Sequence, residues 1–249
     1  MTCGPASSAP RGATEVARGK GRGGKGGGGG RGSGKARGAQ GQSRGGKGSP
    51  WGSGDAYNRK AKDQGFAARS VFKLEEIDSR FSILRRGDRV LDLGACPGSW
   101  SQYALRKVGK GGLLVAVDIQ PITTPLPGAV VLQDDVFALE PEQLAEVTDG
   151  RVPPFDAVIS DMAPATTGVP FRDHVASVEL CDRALGLAGR MLVPGGVFVC
   201  KVFQGEDEPA LRERIRARFG KLKSLKPKGT RSRSVEIFLV GLGYSGEPR

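Results

Sequence analysis

Several charged residues in this chain have mostly apolar neighbours, and that is where its chemistry is sought first. Lys201 lies inside Val197 Phe198 Val199 Cys200 Lys201 Val202 Phe203, and Glu236 sits among Val235, Ile237, Phe238, Leu239 and Val240. A lysine in such a strand has to be paired, neutral or functional, because burying an unpaired ammonium costs several kcal/mol or more. Perturbed lysines gather at functional sites, where one that loses its charge can serve as a base. Further acids end three apolar runs. Asp118 closes Leu113 Leu114 Val115 Ala116 Val117, Asp161 closes Phe155 Asp156 Ala157 Val158 Ile159 Ser160, and the pair Asp134 Asp135 follows the run 128–133. Ligands of open α/β sheets collect at the carboxyl ends of the strands, so these acids share one rim.

The element that positions them is Arg89 Val90 Leu91 Asp92 Leu93 Gly94 Ala95 Cys96 Pro97 Gly98 Ser99 Trp100. Val90, Leu91 and Leu93 form the run of a central parallel strand, Gly94, Pro97 and Gly98 break it, and Ser99 is expected to cap the next helix. Gly94 and Gly98 leave room for a ligand at the main chain, and the amides of the new helix face it. The spacing of this run matches neither Gly-x-x-x-x-Gly-Lys-Ser/Thr nor Gly-x-Gly-x-x-Gly, so a nucleoside without phosphates fits better than a nucleotide. Asp118, 24 residues after Gly94, stands where a carboxylate meets ribose hydroxyls. S-adenosylmethionine carries such a ribose. An acid at the end of the third strand could accept from the adenine amino group, and chemistry alone does not choose between Asp134 and Asp135.

Around this unit the pattern alternates strand and helix. Val71, Phe72, Leu74, Ile77 and Phe81 have helical spacing, with Ser70 as expected cap; on pattern alone Lys73 in that helix is a surface lysine. Residues 51–69 read as a polar, basic entrance. Asp173 is expected to cap a long helix to Arg190, with His174 as a surface or capping residue. Pro209 opens a helix with Arg212, Arg214, Arg216 and Arg218, and two closing strands follow, Lys221–Lys226 and Val235–Gly241.

The net charge of +12 is unevenly spread. Residues 1–50 hold ten Lys or Arg against one acid, Glu15, with 18 of the 40 glycines and no aromatic residue. They cannot bury enough surface to order themselves and are expected to be a disordered basic tail, either attracted to RNA phosphate or simply solvated. Residues 51–249 suffice for one core. Arg212–Arg233 carries ten basic residues and one acid, so a polyanion the size of RNA is the expected partner. With four scattered cysteines and one histidine no metal site is legible, and no membrane span or secretory signal appears. The expectation is a cytoplasmic protein with reduced thiols.

Lys73, Asp161, Lys201 and Glu236, together with the run from Asp92 to Gln102, Ser160 Asp161 Met162 Ala163 Pro164, Lys201 Val202 Phe203 Gln204 Gly205 and Arg231 Ser232 Arg233 Ser234 Val235 Glu236, resemble the FtsJ-type 2′-O-ribose methyltransferases of ribosomal RNA. The likeness runs from about Ser53 to Gly243. It implies a Rossmann-like α/β fold, with a seven-stranded, mostly parallel sheet covered by helices on both faces, and S-adenosyl-L-methionine as cofactor. It also implies a catalytic tetrad of Lys73, Asp161, Lys201 and Glu236, cofactor contacts at Gly98, Trp100, Asp118, Asp135 and Asp161, and no metal. The implied substrate is a uridine ribose in large-subunit (23S) ribosomal RNA, on the assembled subunit, with the enzyme a monomer. Ser99, where a second glycine is frequent, and the doubled Asp134 Asp135 depart from the pattern. Lys201 is the expected general base, its proton affinity lowered by burial and by Lys73, or its proton shed as transfer proceeds. The rivals are a 2′-O-methyltransferase of transfer RNA or RNA caps and a non-catalytic ribosome-assembly protein.

Overall fold

A computed structural model describes residues 52–148, 154–228, 230 and 234–246. The apolar runs form one sheet of seven strands: β1 (Arg89–Leu93), β2 (Leu113–Asp118), β3 (Ala129–Gln133), β4 (Phe155–Ser160), β5 (Leu192–Phe203), β6 (Phe219–Leu225) and β7 (Glu236–Tyr244). Their order is β3-β2-β1-β4-β5-β7-β6. Strands β3 to β5 of this row pair in parallel, and β7 runs antiparallel to both β5 and β6. This is the Rossmann-like α/β architecture that the alternation of strand and helix implies.

Because successive side chains of a strand point to opposite faces, each run supplies two cores. Val90, Leu114, Ala157, Ile159, Val199, Phe238 and Val240 face α1 (Gly52–Asp63), α2 (Val71–Phe81) and α3 (Ser99–Val108). Leu91, Leu93, Val158, Phe198, Cys200, Val202 and Leu239 face α4 (Pro141–Val147), α5 (Pro170–Met191) and α6 (Glu208–Arg216). Burying one such side chain stabilises the fold by about 1.5–3 kcal/mol. The strands are therefore fixed in register by both layers.

Helix α1 differs from the expected polar entrance. Its buried Ala61 and half-buried Tyr57 are too few to show a period, yet Tyr57 packs 5.7 Å from the Phe72 ring and Lys60 Nζ lies 4.6 Å from the centre of that ring. None of the three expected caps acts as one. The Ser70 hydroxyl bonds the Ser99 hydroxyl (2.7 Å) instead of its own helix, and Ser99 is the first residue of α3, preceded by Gly98 at φ 112°. Asp173 lies inside the first turn of α5, where its carboxylate accepts from Thr167 N, Thr167 Oγ1 and Gly168 N. It fastens the incoming loop to the helix, and those bonds hold its acidity above that of an ordinary carboxyl. The tail expected over residues 1–50, and Arg231, Ser232 and Arg233, lie outside the described residues.

Candidate active site

Strand parity brings the charged residues together. Asp92, Asp161, Lys201 and Glu236 all continue the α2/α3 face of β1, β4, β5 and β7, since each lies two residues from Val90, Ile159, Val199 or Phe238. Cys200 is level with Ser160, so the next pair along is Lys201 and Asp161. Lys201 Nζ lies 2.8 Å from Asp161 Oδ1 and donates to the Asp161 carbonyl at 2.6 Å. Glu236 is level with Phe203, and because β7 runs backwards its first residue reaches the rim where the other strands end. There Glu236 Oε1 meets Lys73 Nζ from α2 at 2.5 Å and accepts from the Thr230 hydroxyl. Burial opposes the charge of Glu236, but the hydrogen bond and charge of Lys73, with the charge of Lys201 and the Thr230 bond, keep its acidity above that of an ordinary glutamate. Two lysine–carboxylate pairs thus stand within electrostatic reach of each other.

Beside them opens a cavity of about 470 Å³, lined by Gly94, Cys96, Asp118, Ile119, Asp134, Asp135, Phe137, Asp161, Met162 and Leu180 among others. Its size is that of a small-molecule site. Four carboxylates and no lysine or arginine line it, a wall that repels phosphate and suits a ligand carrying positive charge and hydroxyl donors. Asp118 Oδ2 accepts from Cys96 N and Oδ1 from Gln120 N, both at 2.8 Å, which pins the glycine turn and leaves each oxygen a further lone pair. Asp134 has both oxygens occupied, by Asp135 N and Gln143 Nε2, whereas Asp135 has only Oδ1 engaged, by Phe137 N. Among the described residues Asp135 thus keeps one oxygen without a partner, while each oxygen of Asp134, like each of Asp118, already takes one bond. Gly94, at φ 76°, also answers a packing demand, since a Cβ there would stand 2.5 Å from Met162 Cγ.

Two of the expected cofactor residues do not line this cavity. Gly98 shapes the turn behind it, where a Cβ would press on Thr124 at 3.1 Å. The Trp100 indole is buried among the α2/α3 core, donating to Ser70 O (2.9 Å) and packed 5.6 Å from the Phe238 ring. Its role is therefore to hold α2, with Lys73, against β7.

Sequence reasoning passed over Asp92, although a charge in an apolar strand is the signal that exposed Lys201. Asp92 is wholly buried; Ser101 donates to Oδ2 at 2.6 Å, and Oδ1 has no hydrogen-bond partner among the described residues. Burial, only partly offset by Ser101 and reinforced by the charges of Asp161 and Asp118, raises its carboxyl to about 7. His174 is a correction: it is buried, its Nδ1 meeting Phe203 O (2.8 Å) and its Nε2 accepting from Asp207 N (3.0 Å), so it clamps the end of β5 and the following turn. The basic reading of α6 is corrected too. Arg212 pairs with Glu208, Arg216 with Glu213, and Arg214 with Asp182 through two bonds of 2.8 Å. Among the described residues no three or more His, Cys, Asp or Glu side chains are grouped to hold a metal, and no helix is long and apolar enough to cross a membrane.

A Rossmann-like sheet with a glycine turn, an acid-lined cavity at its carboxyl rim and a lysine beside Asp161 is a frame that suits a methyltransferase using S-adenosyl-L-methionine. The model of the FtsJ-like methyltransferase family matches residues 66–244, and the chain belongs to that family. It is 51% identical over 184 residues to the ribosomal RNA large subunit methyltransferase E of Bdellovibrio bacteriovorus, covering 74% of this chain and 93% of that one. To the protein of the same name from Sorangium cellulosum it is 52% identical over 185 residues, 74% and 85% of the two chains. A crystal structure of a Plasmodium falciparum protein assigned as a ribosomal RNA methyltransferase superposes with a TM-score of 0.65 at 25% identity, over 73% of this chain and all of that one.

Proposed function

We propose that this enzyme methylates the 2′-hydroxyl of a uridine ribose in large-subunit (23S) ribosomal RNA, acting as a cytoplasmic monomer on the assembled subunit. The reading rests on one observation above the others: the Lys201–Asp161 and Lys73–Glu236 pairs stand within electrostatic reach of each other at the carboxyl ends of the strands, and Asp161 also lines the acidic cavity. Bound there, S-adenosyl-L-methionine supplies an electrophilic methyl group on a positively charged sulfur. Asp118 and Asp135 offer acceptors to its ribose and adenine, and Asp161 faces both the cavity and Lys201.

Lys201 removes the hydroxyl proton. In its neutral form an amine keeps two N–H donors, and the site has two acceptors for them, Asp161 Oδ1 and the Asp161 carbonyl. The remaining lone pair then faces the incoming hydroxyl. As the hydroxyl oxygen takes the methyl group, whose bonding pair would remain on sulfur, its proton passes to Lys201 Nζ, and the resulting ammonium regains its full ion pair with Asp161. Lys73, fixed by Glu236, orients the ribose from the other side.

RNA is held by cations that the fold leaves uncommitted. The guanidinium of Arg69, half-buried four residues before Lys73, has no hydrogen bond or ion pair among the described residues, and Arg59 and Lys62 are exposed nearby in sequence. Such groups position the phosphate backbone, while the tetrad reads only the sugar.

The test is radiolabel transfer from S-adenosyl-L-methionine to unmethylated 50S subunits, protein-free 23S RNA, transfer RNA and capped RNA, with the modified position mapped. Incorporation at a large-subunit uridine is expected, and Lys201→Ala should abolish it while cofactor binding by calorimetry persists. Incorporation confined to transfer RNA or caps, or undiminished turnover by Lys201→Ala, would overturn the reading.

A further inference from the structure

The sheet-facing stripe of α5 runs His174, Val178, Cys181, Leu185 and Ala188, all buried, at the three- and four-residue steps of a helix. One step earlier the same stripe carries Phe171, yet Phe171 is 64% exposed. The reason is that the sheet has ended. His174 already bonds Phe203 O, the last residue of β5, so a residue one turn nearer the helix start projects past the rim. Phe171 is a large ring on the core stripe that the described residues leave mostly uncovered.

Two other exposed apolar residues lie next to this part of the rim. Val169 (46% exposed) immediately precedes α5, and Val235 (53%) immediately precedes Glu236, its carbonyl accepting from Gln204 N at 2.9 Å. Phe171 and Val235 therefore flank the Phe203–Gln204 turn, the first through His174 and the second directly, two and three residues beyond Lys201. The surface is also held in place: the Asp173 carboxylate ties Thr167 and Gly168 to α5. Arg172, next to Phe171, is exposed and forms no ion pair or hydrogen bond among the described residues. Asp161 lies at the start of the same loop.

We infer that Phe171, with Arg172, is a stacking platform for a base flanking the methylated nucleotide, the ring taking the face of the base and the guanidinium its phosphate. An exposed rigid ring with an unpaired cation beside it matches a splayed single strand, whose bases are apolar and whose backbone is anionic. The inference rests on the RNA methyltransferase reading above and extends it from the target ribose to its neighbour. Since the tetrad contacts only a sugar, this platform supplies a contact with an adjacent base.

The experiment compares wild type, Phe171→Ala and Phe171→Trp with unmethylated 50S subunits and with protein-free RNA containing the target. The RNA carries a single abasic site placed in turn at each position within three nucleotides of the target. Removing one stacked base weakens binding by about tenfold, so Phe171→Ala should raise the KM for RNA by about that factor, leaving kcat and cofactor affinity unchanged, and Phe171→Trp should restore it. At one flanking position the abasic RNA should bind wild type about tenfold more weakly and Phe171→Ala no more weakly than intact RNA does. Equal KM for wild type and Phe171→Ala, or abasic effects identical in both, would overturn the platform while wild-type methylation kept the main reading intact. A loss seen with 50S subunits but not with protein-free RNA would overturn it in favour of a ribosomal protein. Absence of RNA methylation by wild type would instead remove the reading on which it stands.

Discussion

Replacing Asp92 with asparagine should change how stability depends on pH. The carboxyl is wholly buried, takes one hydrogen bond from Ser101, and is raised from 3.8 to about 7, first by burial and then by the nearby charges of Asp161 and Asp118. The native state therefore holds this proton more tightly than the unfolded chain. Its stabilising contribution is complete below pH 3.8 and is lost as pH rises from there to about 7. At about 1.4 kcal/mol per tenfold change in proton affinity, the whole loss is about 4 kcal/mol, of which about 2–3 kcal/mol falls between pH 5 and pH 8. Asparagine has the shape of the neutral acid and accepts from Ser101, but it does not titrate. Leaving its amide unpaired where Oδ1 has no partner costs about 1–3 kcal/mol at every pH and so does not alter the slope. Urea unfolding at fixed ionic strength from pH 5 to pH 8 should thus show wild type losing about 2–3 kcal/mol more than Asp92→Asn. Other titrating groups, Glu236 included, are common to both proteins and cancel in the difference. Parallel profiles for the two proteins would refute the reasoning.

Asp118→Ala removes both an acceptor for the cofactor ribose and the two bonds that pin Cys96 and Gln120, so calorimetry should show cofactor affinity reduced by at least about tenfold; unchanged affinity would tell against the contact. Deleting residues 1–50 with their ten lysines and arginines should flatten the dependence of RNA affinity on salt, read as the slope of log affinity against log salt concentration. An unchanged slope would make the tail a bystander.

The strands and the rim acids were legible because a sheet covered on both faces demands long apolar runs, which a few polar residues punctuate visibly. Lys201 and Glu236 stood out against that background, and Asp92 would have done so by the same test. Lys73 has no such background: in a helix its charge reads as solvated, and only the resemblance picked it out before the β7 register placed Glu236 against it. His174 escaped because its partners are backbone groups 29 and 33 residues away, which no local pattern records. The arginines of α6 were misread for a related reason. Glu208 and Asp182, which neutralise two of them, lie outside the basic run.

The reversal of β7 joins distant parts of the chain at one rim. Every residue walling the acid-lined cavity precedes residue 181, whereas the acid that holds Lys73 arrives only with the last strand, inserted against the others. Were β7 parallel, its nine residues would carry Glu236 about 30 Å to the opposite end of the sheet. The pocket for a small ligand and the acid that secures Lys73 thus come from separate stretches of the chain and from strands of opposite sense.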